Sequence, residues 1–178
     1  MVGWAQMSRE EALTALLDKQ AIAEVIARYS RTLDWLDEAG HAACYWPDAA
    51  IDYGFFKGSA AEFVPVVMAI ERASARRWHM MSGLQIKLHD AAHASAECYG
   101  IAAGARQGDD GSYAGTMYGG RYLDEFEARG GEWRIARRDY ALDWSLPLPN
   151  QPVPAPGDAF PLPMLEILAG GHPQYRVM

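Results

Sequence analysis

The chain has 178 residues, half of them hydrophobic and 22% charged, a size and composition that suit one domain with a sizeable core. A net charge of −7 argues against a nucleic-acid surface, which needs clustered Lys and Arg. The apolar runs are too short to cross a bilayer and no secretory leader pattern opens the chain. Cys44 and Cys98 form no CxxC pair, so the expectation is a cytoplasmic protein with two buried, reduced thiols.

In chain order, residues 1–7 read as a lead-in. Ser8 and Glu11 then have the spacing of a capping box, in which each side chain satisfies the other residue's backbone N–H. Leu13, Leu16 and Leu17, then Ile22, Val25, Ile26, Tyr29 and Leu33, recur every three to four positions, the stripe of an amphipathic helix with a break near Asp18–Gln20. The last turns carry Tyr29, Ser30, Arg31 and Asp34, too polar for a plain core helix. A short helix over 37–45 is expected to stop at Trp46-Pro47. A strand and bend follow around Gly54, and Ser59 with Glu62 repeats the capping box at the head of a helix reaching about Arg76.

The pattern then changes to four long strands, 78–88, 95–105, 113–127 and 133–144, separated by turn residues such as Gly108-Asp109-Asp110-Gly111 and Gly130-Gly131. Helices first and a meander of strands after them predict an α+β fold: a cone-shaped barrel with N-terminal helices on a curved, mostly antiparallel sheet. Gly83, Gly100 and Gly119-Gly120 are candidate bulge or bend sites. A cone of this kind encloses a pocket. The exposed face of the sheet, with Trp133, Ile135 and Leu123 as candidates, needs cover, so a homo-oligomer (dimer or trimer) is expected. Seven of the ten prolines fall between Pro147 and Pro163, which predicts a segment that cannot join the sheet. Residues 1–145 are thus read as the domain and 146–178 as a Pro-rich extension. It has a short helix at 163–169 and is apolar enough to strap the pocket or dock on a neighbouring subunit.

Two side chains suggest chemistry. Asp34 ends the long helix and His79 opens the first long strand. A carboxylate that holds an imidazole in one tautomer makes that ring a general base near neutral pH. The alternative is that Asp34 terminates its helix and His79 is a satisfied core histidine. Tyr29, some 140° round the helix from Asp34, and Tyr53 are candidates to donate a hydrogen bond to developing negative charge, or are amphipathic core tyrosines. Alternation on the third strand puts Tyr118, Tyr122, Asp124 and Phe126 on one face and Arg121 and Leu123 on the other. Arg121 and Arg138 are candidates to hold an oxyanion, although Arg–Asp pairs across strands are more often structural. His89 and His93 lie in a turn with no HExxH, HxH or carboxylate set, so no metal is expected. Neither a phosphate loop nor a serine elbow appears.

The runs LLDKQAIAEVIARYSRTLDWLD, WPDAAIDYG, HMMSG and YGGRYLDEFEARGGEWRIARRDYALDW resemble the SnoaL-like branch of the nuclear transport factor 2-like superfamily, over roughly residues 10–145. The resemblance implies the same α+β cone and no cofactor. Its enzymes include bile acid 7α-dehydratase, hexachlorocyclohexane dehydrochlorinase, scytalone dehydratase, polyketide cyclases and a sphingomonad diarylpropane lyase. Asp34 and His79 fall on the Asp and His shared by the bacterial dehydratase and dehydrochlorinase, and Tyr29 on a tyrosine of the bile acid enzyme. The expectation is a cofactor-free lyase with Asp34, His79 and Tyr29 catalytic. Tyr53, Phe55, Trp78, Tyr99, Tyr118, Arg121 and Arg138 are expected to receive an apolar, aromatic or polycyclic substrate that loses water, halide or formaldehyde. No nucleic acid or membrane partner is expected. The superfamily also contains non-catalytic ligand-binding domains and small subunits of ring-hydroxylating dioxygenases, which are the alternatives.

Overall fold

The computed structural model describes residues 7–148 and 170–178. Helix α1 spans Arg9–Asp34 and opens on the Ser8–Glu11 capping box. No break occurs at Asp18–Gln20, because no Gly or Pro lies there and the Gln20 amide donates to Glu24 at 3.0 Å, one turn on. The inner stripe is Ile22, Val25, Ile26, Tyr29 and Leu33. Leu13, Leu16 and Leu17, expected to continue it, are more than half exposed.

α1 ends on a Schellman turn: the Asp37 N–H donates to the Thr32 carbonyl at 2.9 Å and the Leu36 N–H to that of Leu33 at 3.2 Å. The left-handed position is held by Leu36 (φ 56°) where glycine is usual, at a cost of about 1–2 kcal/mol. Burial of the Leu36 side chain offsets it. Asp37 then caps α2 (Glu38–Ala42). Strand β1 (Tyr45–Asp52) includes Trp46-Pro47, expected as a stop, and turns at Gly54 (φ 74°) into β2 (Lys57–Ser59). The Ser59–Glu62 capping box opens α3, Ala60–Arg72, which ends four residues short of the expected Arg76.

Strands β3 (Arg76–Leu88), β4 (His93–Gln107), β5 (Tyr113–Arg129) and β6 (Glu132–Leu148) form the antiparallel meander. The sheet order is β2-β1-β6-β5-β4-β3, with β1 parallel to β6. The result is the expected α+β cone: helices on one face of a curved, unclosed sheet. Ladder shifts between Ser82 and Gln85, around Gly83 (φ 63°), and between Gly119 and Gly120 put bulges where glycines predicted them. Gly100 has a different reason, since a Cβ there would fall 2.4 Å from the Tyr122 ring.

Another ladder shift, between Glu125 and Phe126, leaves Ala136 without a partner and reverses the alternation of β6. Trp133 and Ile135, expected on the exposed face, are therefore buried, and the Trp133 indole donates to Asp18 at 2.9 Å beneath α1. Leu123 is exposed as expected. β6 also runs through Pro147, which was expected to be excluded from the sheet. β1 pairs with β6 no further than Asp139, so the missing N–H of Pro147 costs no ladder bond on that side. The expected helix at 163–169 and most of the proline-rich extension lie outside the described residues. Residues 170–178 pack on α1, where Tyr175 donates to Asp37 and lies under the Arg31 guanidinium, 4.4 Å from the ring centre. Cys44 and Cys98 are free and buried, and burial pushes both thiols up to about 12.

His41 is fully buried, its Nδ1 3.2 Å from the Thr32 hydroxyl. That hydroxyl donates to helix carbonyls, so the ring donates through Nδ1. Burial first, then the Arg138 charge, lowers its pKa to about 3. Below the ordinary value of 6.5 the unfolded chain takes up this proton and the folded one does not. Stability is thus lost as pH falls, by about 1.4 kcal/mol per pH unit from this group. Chemical denaturation between pH 6 and 4 should show a slope shallower by about one proton in His41→Phe than in the native protein; equal slopes would contradict this assignment.

Candidate active site

The site begins where α1 meets the edge strand β3. Asp34, the last residue of α1, accepts twice from one residue: its Oδ2 takes the backbone N–H of His79 at 3.1 Å, and its Oδ1 lies 2.7 Å from His79 Nδ1. Since the carboxylate only accepts, Nδ1 carries the proton in the neutral ring, and Nε2 is left as the basic nitrogen. The His79 side chain is 8% exposed and lines a cavity of about 740 Å³, within the size range of small-molecule sites. Its wall is mostly aromatic and aliphatic, including Tyr29, Tyr53, Phe55, Tyr118, Tyr122 and Leu142.

Tyr29 and Tyr53 share a hydrogen bond of 2.8 Å between their hydroxyls. One phenolic proton is spent within this pair and the other is not. Burial, then neighbouring tyrosines, raises Tyr29 well above its ordinary pKa, and burial raises Tyr53, so both remain hydrogen-bond donors at neutral pH. Tyr53 is fixed by stacking on Phe63 (centroids 4.9 Å apart) and on Tyr140 (5.2 Å). Beneath the tyrosines lies Arg138, fully buried, with Nε and Nη2 each 2.7 Å from an oxygen of Asp124. Its guanidinium sits 4.1 Å from the Tyr29 ring centre and 4.7 Å from that of Tyr122.

The structure therefore brings His79, Tyr29, Tyr53, Phe55 and Tyr118 to one cavity, with Asp34 behind His79 and bonded to it rather than lining the space. Three expected residues lie elsewhere. Trp78 neighbours His79 in a strand and must point the opposite way, where it is 54% exposed. Tyr99 and Arg121 are cross-strand partners on that same outer face, the guanidinium 5.1 Å from the Tyr99 ring centre and bonded to Asp143. Arg138 belongs to the floor: its fork is occupied by Asp124, as the structural reading of an Arg–Asp pair predicts. Sequence reasoning missed Glu71, which lies 3.8 Å from His79 Nε2, and the cavity tyrosine Tyr140. A signal for Glu71 was available: Phe63, Val67 and Glu71 follow at four-residue intervals, so a carboxylate sits on the buried stripe of α3.

Among the described residues no group of three or more His, Cys, Asp or Glu side chains converges as metal ligands. His89 and His93 flank a turn, bonded to Ser95 and Asp90 respectively. No described helix is long and apolar enough to cross a membrane.

The sequence matches the SnoaL-like domain over residues 14–139. The chain belongs to the SnoaL-like family, within the nuclear transport factor 2-like superfamily. No curated protein matches it. Among solved structures, a hexachlorocyclohexane dehydrochlorinase (LinA, type 2) superposes with a TM-score of 0.68 at 19% identity, over 82% of this chain and 99% of that one. A candidate scytalone dehydratase from Novosphingobium aromaticivorans gives 0.68 at 19% identity, over 84% and 99%. A candidate aromatic ring hydroxylase from the same species gives 0.64 at 19%, over 75% and 94%. At this identity the likeness concerns the fold. The SnoaL-like family contains lyase-type enzymes and non-catalytic members alike, so the chemistry must be argued from the site.

The buried ion pair under that site gives a stability test. Asp124→Asn leaves a buried guanidinium without its charge partner and should cost about 3–5 kcal/mol, whereas Asp124→Leu combined with Arg138→Met should recover most of the loss. Urea denaturation of the three proteins checks this; a double variant as unstable as the single one would show that the pair supports the fold by more than mutual neutralisation.

Proposed function

We propose that this protein is a cofactor-independent lyase that acts by general acid/base catalysis on a small apolar molecule, aromatic or polycyclic in character. The observation that carries the reading is the 2.7 Å contact between Asp34 Oδ1 and His79 Nδ1 at the wall of an aromatic cavity of about 740 Å³. Asp34 fixes the tautomer and balances the imidazolium that forms when Nε2 takes a proton. In an elimination that proton comes from carbon beside a carbonyl or aryl group. The C–H pair becomes the new double bond, and hydroxide (as water) or halide departs. In the formaldehyde variant the proton comes from a primary hydroxyl of a diol: the O–H pair becomes the C=O of formaldehyde, the C–C pair becomes the new C=C, and the hydroxyl on the next carbon takes a proton and leaves as water. The Tyr29–Tyr53 pair has a phenolic proton to offer a developing oxyanion. Every one of these roles is filled by a side chain, so the reading calls for no cofactor.

His79→Ala and Asp34→Ala should each lower turnover a hundredfold or more with the fold intact by circular dichroism. The assay is a panel of aryl and polycyclic alcohols, diols and halides scored for elimination without added cofactor. Near-native rates in either variant would sink the mechanism. A ligand that binds the native protein and both variants equally, with no turnover, would favour a non-catalytic binding domain.

The reading includes a cytoplasmic homo-oligomer. On the outer face of the sheet Trp78, Met80, Tyr99, Trp144 and Leu146 are all more than 40% exposed, a concentration of apolar surface that association would bury. Sedimentation equilibrium should give two or three times the 19.6 kDa of one chain; a monomer at micromolar concentration would refute it.

A further inference from the structure

We propose that the Glu71 carboxyl is the general acid of this site, giving its proton to the leaving oxygen while His79 Nε2 takes one from the adjacent carbon. The inference rests on the lyase reading above and concerns a group that reading does not use. Glu71 occupies the last turn of α3, in line with the buried Phe63 and Val67, and only 12% of its side chain is exposed. Its Oε1 lies 3.8 Å from His79 Nε2, the nitrogen that faces away from Asp34. Both residues line the large cavity, and both also line a smaller one of about 320 Å³, so they stand where the two spaces meet.

The surroundings suit a proton donor. Burial raises the Glu71 pKa above its ordinary value, and Asp34 on α1 adds to the rise; His79 and Arg77 on β3 pull the other way. Arg77 directs its Nε to the Glu71 backbone carbonyl at 2.9 Å, and this nitrogen stands 3.8 Å from the carboxyl Oε2.

The proton count closes within the pair. Before reaction the ring is neutral and the carboxyl protonated. His79 takes the carbon-bound proton, the C–H electrons form the double bond, and the C–O bond breaks as the Glu71 proton passes to the leaving oxygen, releasing water. What remains is an imidazolium beside a carboxylate, 3.8 Å apart in the resting geometry. A small approach lets the proton return from Nε2 to Oε1 and restores the starting state. Acid and base on one wall also require both protons to move on the same face of the substrate, so the elimination is syn.

The test uses 4-hydroxy-4-phenylbutan-2-one and its 4-chloro analogue, together with any alcohol and halide pair accepted in the panel above. Water needs a proton to leave and chloride does not. Glu71→Gln should therefore lower elimination from the alcohol a hundredfold or more and change that from the chloride about threefold or less. Loss of His79 lowers both. Equal losses on both substrates in Glu71→Gln would show that the residue only positions the ring, and an unchanged alcohol rate would show that it plays no part; either result overturns the proposal. A substrate-free arm is infrared titration of the carboxyl bands. A neutral carboxyl band lost in Glu71→Gln should persist above the pH range in which ordinary glutamates ionise. Its absence overturns the proposal even in an active lyase. If the native protein turns over no alcohol or halide at all, the lyase reading has failed and takes this proposal with it.

Discussion

One carboxylate ties the helical layer to the edge of the sheet and sets the tautomer of the histidine that lines the large cavity. Asp34 accepts both the backbone N–H and the ring Nδ1 of His79. β3 is an edge strand, so without α1 its outward N–H at this position would face solvent. The geometry depends on where α1 stops. The Schellman turn places a left-handed, buried leucine two residues after Asp34, and that strained position fixes the helix end against the core. Strain at this helix end is the kind that persists because surrounding packing over-determines it.

A second constraint lies below the cavity. Arg138 brings a permanent charge into the core, where it is tolerable only because Asp124 accepts a two-pronged bond and three tyrosine rings offer their faces. The guanidinium packs on the faces of Tyr29 and Tyr122, two of the rings that line the cavity. Burial, and with it the Arg138 charge, lowers the pKa of His41, which stays neutral beside Tyr29. Floor and wall thus use charge differently: the floor neutralises it completely, while the wall leaves a basic nitrogen and a second carboxyl facing the space.

The outer face of the sheet shows what register does to composition. Two cavity-lining residues have apolar neighbours on the outside: His79 stands between Trp78 and Met80, and Tyr118 next to Met117. Alternation puts these neighbours on the reverse face of the sheet, where Trp78, Met80 and Tyr99 are exposed.

Local pattern alone determined a good deal of this protein. Both capping boxes, the α+β order, the antiparallel meander, the alternation of β5 and the bulges at Gly83 and Gly119-Gly120 follow from hydrogen-bonding chemistry and periodicity within a few residues. Asp34 and His79 were legible as a polar helix end and a strand-start histidine, and the family resemblance joined them. What tertiary structure alone decided involves partners far apart in sequence. A single unpaired residue at Ala136 turned Trp133 and Ile135 inward, and parity relative to His79 put Trp78 and Tyr99 outside. The end of α3 at Arg72 set Glu71 against a histidine from the next strand. Register shifts and helix ends are chosen by packing between elements, where the competing local energies differ by about a kilocalorie per mole. A window of sequence carries the periodicity but not the offset, and in a sheet with a side-chain period of two the offset decides which face a residue serves.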